Sequence, residues 1–321
     1  MKDICLSYKG KEFAVPNRWD ALTPETYLRL VRNFLKVEKG ELSVGELRIR
    51  LLCDIMHWNL RKIREEEQVA NLIVLSEQLT FLFKIQYPDN NAALDGLSDD
   101  DYRKAVRTDP FLLDIPAASY LKTLDYRYRL DLCFFAQLLP AVTVGKNIYT
   151  GYVARLKNDA ITCTLTALQY IEARELLGKQ ESLPLMAAIL YTPDGCYDSN
   201  RAHELADEFA QLDNVTLHAI KMNFEAINNF LFTRTSFSLL AKFEKGKAHS
   251  ITTDFTDALY DLSADGLGNV HEVEQMNILT YLRILRKKTI DSVRQLHGMK
   301  MDVGKIANEV GLPIDIITKI V

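Results

Sequence analysis

Glycine is scarce in this sequence, 14 residues of 321, and proline numbers nine. Loops that cradle phosphates need closely spaced glycines, and neither GxGxxG nor GxxxxGK[ST] occurs. HExxH, GxSxG and the kinase signatures are missing as well. No apolar run reaches the roughly 20 residues that span a bilayer. The opening MKDICLSYKGKEF has no apolar stretch of signal-peptide length, so the chain is expected to start as a soluble protein. Cysteine is sparse too. Cys5, Cys53, Cys133, Cys163 and Cys196 are odd in number, widely spaced and without a CxxC. That excludes the usual frameworks of disulfides or structural zinc, and buried thiols in a reducing cytoplasm are the simplest account. Neither sign of charge dominates: 39 basic and 43 acidic residues give −4. No global field recruits nucleic acid or an anionic membrane.

What is present is apolar material, 48% of the chain, against 26% charged residues. That balance belongs to a soluble globular protein with a sizeable core. The length predicts about two domains. The pattern of elements divides the chain into 1–144, a hairpin plus helices; 145–248, a second hairpin plus a helical core; and 249–321, a C-terminal helical extension. The charged segment 242–249, KFEKGKAH, is the expected boundary before the extension. The fold class expected is mainly α, multi-helix, with two small β-hairpins.

The densest apolar stretch runs from Leu165 to Phe232 and reads as a packed helical core. Ahead of it, 3–15 reads as a hairpin: Ile4, Leu6 and Tyr8 alternate, Lys9-Gly10-Lys11 turns, and Phe13 and Val15 alternate back. Thr23 and Pro24 then start a helix over 24–36, with Tyr27, Leu30, Val31 and Phe34 on one stripe. Ser43 caps a second helix. Val69 to Ile85 is apolar at helical spacing. The acidic stretch 95–109 predicts a loop, and 117–139 predicts a helix closed by Pro140. A second hairpin is expected over 145–164, turning at Lys157-Asn158-Asp159. Later helices are expected to start at Ser199 or Asn200 and at Asp213 or Asn214. A helix around 254–263, a long helix over about 270–297 and a two-helix hairpin over 302–321 complete the chain.

Leu165-Thr166-x-x-x-Tyr170 repeats Leu22-Thr23-x-x-x-Tyr27 after an offset of 143 residues. Each follows a predicted hairpin and opens a predicted helix. The pattern suggests a duplicated hairpin-plus-helices unit, against the plainer reading that threonine caps are common after strands.

Candidate chemistry is thin. Cys53 and His57 lie at i and i+4, but two ligands do not make a metal site. Asp99-Asp100-Asp101 lacks the glycine and terminal Glu of a calcium loop and reads as a helix-capping acidic run. His203 with Glu204, Asp207 and Glu208 reads as surface decoration rather than an acid–base pair. No catalytic, cofactor or metal residue is assigned, and no cofactor is expected. The C-terminal segment Asp302–Ile317 resembles a helix-turn-helix, with Ala307, Gly311 and Ile317 at the small, turning and buried positions. From Met276 to Lys305 there are seven Lys or Arg against two Asp. Arg283, Arg286, Lys287, Lys288, Arg294 and Lys319 are therefore the candidate contacts for a partner or a nucleic acid. Residues 313–321 offer no Arg, Asn or Gln to read base edges, which favours protein docking over DNA.

Trp19, Leu22, Thr23 and Tyr27, followed later by Leu183-Pro184-Leu185 and Tyr191, give the chain a resemblance to helical proteins of tailed-phage and prophage tail modules, nearest to tail-assembly chaperones. The resemblance covers about a third of the chain. It implies non-enzymatic assembly work, in a host cytoplasm or a virion. The expectation is an interaction or assembly protein with protein partners or further copies of itself and no membrane. The alternative is a DNA-binding regulator acting through the C-terminal helices.

Overall fold

The computed structural model describes residues 3–8, 11–87, 91–192, 197–241 and 255–321. The chain is mainly helical, with small two-stranded antiparallel sheets. It divides into two compact units, Met1–Leu132 and Cys133–Val321.

The first unit opens with the expected hairpin, β1 (Ile4–Tyr8) paired antiparallel to β2 (Lys11–Val15). Helix α1 (Pro24–Glu38) starts where the sequence predicts. The Thr23 hydroxyl accepts from the Thr26 amide, Pro24 occupies the first helical position, and Tyr27, Leu30 and Val31 face inward. Helix α2 (Val44–Met56) carries a full capping box between Ser43 and Glu46. Trp19 lies edge-on to Phe81, ring centroids 5.3 Å apart, and its Nε1 donates to the Asp131 carbonyl.

The expected helix over 69–85 is corrected. Helix α3 (Glu66–Glu77) ends early, and the chain turns into strand β3 (Phe83–Gln86). Phe83 and Ile85 are buried on alternate positions, a period-two pattern inside a run that also fits a helix. The loop expected over 95–109 contains helix α4 (Asp99–Ala105), capped by Ser98 with three aspartates in its first turn. Anions there complement the helix dipole.

The helix expected over 117–139 is also corrected. Only α5 (Ala118–Leu121) forms, and strand β4 (Arg127–Leu130) pairs with β3. Beyond it the chain is irregular, although Phe134, Phe135, Leu138 and Leu139 are buried. Distant groups replace the missing helical bonds there, among them one side chain that takes two. Buried Asn223 donates to the Ala136 carbonyl and accepts from the Leu138 amide, both at 2.7 Å.

The second unit starts with two hairpins where one is expected. Strand β5 (Ala141–Val144) pairs with β6 (Asn147–Thr150), and β7 (Ala154–Lys157) pairs with β8 (Ala160–Cys163). The boundary expected at 144–145 falls in the first of these turns. Asn158 and Asp159 both hold positive φ, as a tight hairpin turn requires. Between the hairpins Gly151 is needed for space: a Cβ there would lie 2.8 Å from the Tyr191 ring.

The core is the apolar stretch read from the sequence. Helices α6 (Ala167–Glu175), α7 (Leu183–Leu190), α8 (Ser199–Phe209) and α9 (Asn214–Arg234) pack around α7, whose Met186 to Leu190 are all buried. Asp198, one residue ahead of the expected cap, starts α8; Asp213 starts α9. The boundary segment 242–249 lies outside the described residues.

Helix α10 (Phe255–Ala264) follows as expected. The long helix expected over 270–297 is instead two, α11 (Val270–Glu274) and α12 (Ile278–Gly298). Asn277 caps α12 and bridges antiparallel to Thr166. Helices α13 (Val303–Val310) and α14 (Ile314–Ile320) form the expected terminal hairpin, with Gly311 left-handed at φ +75° between them.

The two Leu-Thr-x-x-x-Tyr stretches occupy like settings. Leu22 and Leu165 are buried, Thr23 and Thr166 both cap helices, and Tyr27 and Tyr170 are fully buried. The likeness is local. Only Thr164 and Leu165 separate Thr166 from β8, whereas the 3-10 turn Trp19–Ala21 lies between Thr23 and β2.

Candidate functional site

The six cationic candidates lie on α12 and α14. Arg283, Lys287 and Arg294 are exposed, and at about 100° per residue they share one face of α12. The other three are engaged. Arg286 Nε donates to the Ser236 carbonyl at 3.1 Å, and Lys288 pairs with Asp265. Lys319 stands 3.6 Å from Asp315, one turn earlier on α14. Helix α14 therefore presents little net positive charge. Its apolar side is spent on a local core in which Ile316 and Ile317 meet Val293 of α12 and Ile306 and Val310 of α13.

The remaining sequence candidates resolve into structural roles. Cys53 is buried in α2, whose left-handed C-cap is His57 at φ 54°. The residue ends the helix instead of continuing its face. The aspartates of α4 sit in its first turn. His203, Glu204 and Asp207 are exposed, with Arg201 held 2.9 Å from Glu204. Glu208 accepts from Asn147 Nδ2 at 3.0 Å. Trp19, Leu22, Tyr27, Leu183 and Tyr191 are buried. They build the interior of the two units.

A surface that sequence reasoning missed lies in the first unit. Helix α3 is apolar on two sides. Leu72 faces inward, 5% exposed, while Val69, Ile73 and Val74 face outward at 39%, 42% and 59%. An ordinary surface helix carries a single apolar stripe. Phe111 and Leu112, in the 3-10 turn Pro110–Leu112, are also exposed. An open cavity of about 540 Å³ is lined by Val74 and Leu112 together with Glu77, Asp3 and the first residues of β1, Ile4 and Cys5. Asp3 also lies 3.5 Å from Arg18. The signal was in the sequence: Val69, Leu72, Ile73, Val74 and Leu75 are too many apolar residues for one stripe of a short helix.

Beside this surface lies a buried polar cluster. The Arg48 guanidinium lies 5.0 Å from the Tyr128 ring centre and 5.6 Å from that of Phe83. Tyr126 and Tyr128 both donate to Asp109. Burial, with that hydrogen bond second, raises the Tyr128 phenol above its ordinary range. Asp131 accepts from Arg107 at 2.5 Å and Lys84 at 2.7 Å. The carboxylates of Asp109 and Asp131 are taken up within the cluster, whereas Arg48 meets it through the two rings and keeps a buried Nε without a hydrogen-bond partner.

No family model, curated protein or solved structure matches the chain.

Proposed function

We propose that the protein is a non-enzymatic interaction or assembly protein that holds partner proteins, or further copies of itself, through its helix faces. The observation that carries this reading is the outward apolar face of α3. Val69 and Ile73 stand one turn apart and exposed, and Val74, the next residue along the helix, lines the cavity together with Leu112. Exposed apolar surface costs free energy in water, and its burial by a partner would recover that cost. The resemblance carried by Trp19, Leu22, Thr23, Tyr27 and Leu183-Pro184-Leu185 supports assembly of a phage or prophage tail as the setting.

The test is light scattering on the purified chain combined with partner capture from the native host. The chain is expected to self-associate or to retain a stoichiometric partner. The paired change Val69→Asp and Ile73→Asp should abolish that association while the helical circular dichroism is retained. A strictly monomeric chain without a protein partner would overturn the reading.

A second reading is DNA binding through α12–α14. It is favoured by the left-handed Gly311 turn and by the cationic face Arg283, Lys287 and Arg294. The Asp315–Lys319 pair opposes it. Phosphate contacts would make duplex binding weaken steeply with salt. Insensitivity of any such binding to the triple alanine variant of Arg283, Lys287 and Arg294 would exclude this reading.

A further inference from the structure

We infer that the free edge of β1 is a strand-addition site for an extended segment of a partner protein, one in which apolar residues alternate with Lys or Arg. The inference rests on the reading of the chain as a partner-holding protein and names the kind of segment held.

Strand β1 pairs with β2 and with no other strand among the described residues. Alternate residues of an antiparallel strand direct their N–H and C=O groups to opposite edges, so the edge away from β2 presents groups that a further strand can pair. The cavity locates that edge. Asp3, Ile4 and Cys5 are consecutive, and all three line it, while no residue of β2 does. Successive side chains of a strand point to opposite faces. Ile4 and Cys5, the first two residues of β1, reach one space together only along the strand's edge, and Asp3 just ahead of the strand lines the same space.

The far walls state what the added segment must carry. Val74 and Leu112 are apolar and exposed, at 59% and 52%, and would receive the apolar side chains of one face. Asp3 and Glu77 make the charged part of the lining acidic. Asp3 Oδ1 has no hydrogen-bond partner and only a long ion pair to Arg18, and Glu77 has no cation partner among the described residues. Lys or Arg at alternate positions of the segment complements both. A docked helix would satisfy its own backbone and gain nothing from the strand edge, whereas strand addition uses it.

The test uses the full chain and a fluorescent octapeptide of alternating Lys and Val, read by polarisation. Two further probes carry N-methyl groups either on every Val or on every Lys. Only one edge of an added strand faces β1, so one methylated form should lose about tenfold or more in affinity and the other should not. Alternating Glu and Val should bind at least about tenfold more weakly, and Glu77→Gln should narrow that difference. Val74→Asp should weaken the Lys-Val peptide, and hydrogen exchange should show the β1 amides protected when it binds. Equal binding of both methylated forms, absence of β1 protection, or no binding of the Lys-Val peptide would each overturn the inference. If these fail while a partner is still lost on changing Val69 and Ile73, the interaction reading stands without strand addition. If no partner is held by either surface, both fall.

Discussion

Asn277 donates from Nδ2 to the Cys163 carbonyl oxygen at 2.6 Å, while its Oδ1 accepts from the Leu279 amide at 3.0 Å. One side chain thus caps α12 and ties it to β8. The Ala167 amide donates to Met276 and the Ile278 amide to Leu165, at 2.8 Å and 3.0 Å, so the backbones beside it are joined as well. Replacing Asn277 by Ala removes the cap and leaves the Cys163 carbonyl without that donor. Destabilisation of about 2 kcal/mol is expected in urea unfolding. Asn277→Asp keeps the capping oxygen but sets a carboxylate against the carbonyl, so it should recover little of the loss. Full recovery by Asp would mean that the cap alone matters.

Gly151 is held by space. A methyl group there meets Tyr191 Cε1 at 2.8 Å, and Tyr191 cannot retreat, being 1% exposed with its hydroxyl donating to Leu139 at 2.6 Å. Gly151→Ala should cost about 1–3 kcal/mol by overpacking. Gly178→Ala, where no atom lies within 4 Å, is the control and should be neutral or slightly stabilising. Equal melting temperatures for the two variants would contradict the steric account.

Alkali should weaken the first unit. Burial pushes the Tyr87 phenol up to about 12, with Asp109 and Tyr126 adding to the shift. Tyr126 and Tyr128 are raised as well, burial first. A phenol raised in the fold stabilises it below the unfolded value of 10.0, and that contribution is lost as pH climbs from there towards 12. The unfolding midpoint should fall across this window, and Tyr87→Phe should make the fall shallower. The same variant should cost little at neutral pH, because the Tyr87 hydroxyl is buried without a hydrogen-bond partner.

The cysteines should separate by burial. Cys5 is exposed at the cavity, whereas burial pushes the Cys163 thiol up to about 12 and Cys53 is raised for the same leading reason. Alkylation by iodoacetamide followed by peptide mass spectrometry should modify Cys5 in the native protein. Cys163 should be modified only on unfolding. Native labelling of Cys163 at a rate like that of Cys5 would contradict the packing of β8.

Local signals were legible where they act within a few residues. Thr23-Pro24, Ser43, Asp213 and the Gly311 turn each fix an element end through a bond or dihedral that the neighbouring sequence specifies. They were illegible where a distant partner intervened. Residues 134–139 carry helix-like apolar spacing, yet Asn223 of α9, some eighty residues on, takes their backbone groups. The candidate surface followed the same rule. The cationic face of α12 could be listed from composition, but which cations remain free depended on Ser236 and Asp265. The groove beside β1 is made by three segments, at residues 3–5, 74–80 and 108–112, that only folding brings together.

The sequence by itself determined the mainly helical class with small hairpins, the caps that start α1, α2 and α9, and the buried stretch around α7. Periodicity, capping chemistry and turn dihedrals operate over a single turn of chain, so one sequence window contains both partners. Tertiary structure alone decided that 83–86 is a strand, that 270–298 breaks at Asn277, and that α3 turns an apolar face outward. Each depends on which remote surface meets the segment. An apolar residue carries the same signal whether its neighbours in space arrive to bury it, as for Leu72, or leave it exposed, as for Val74.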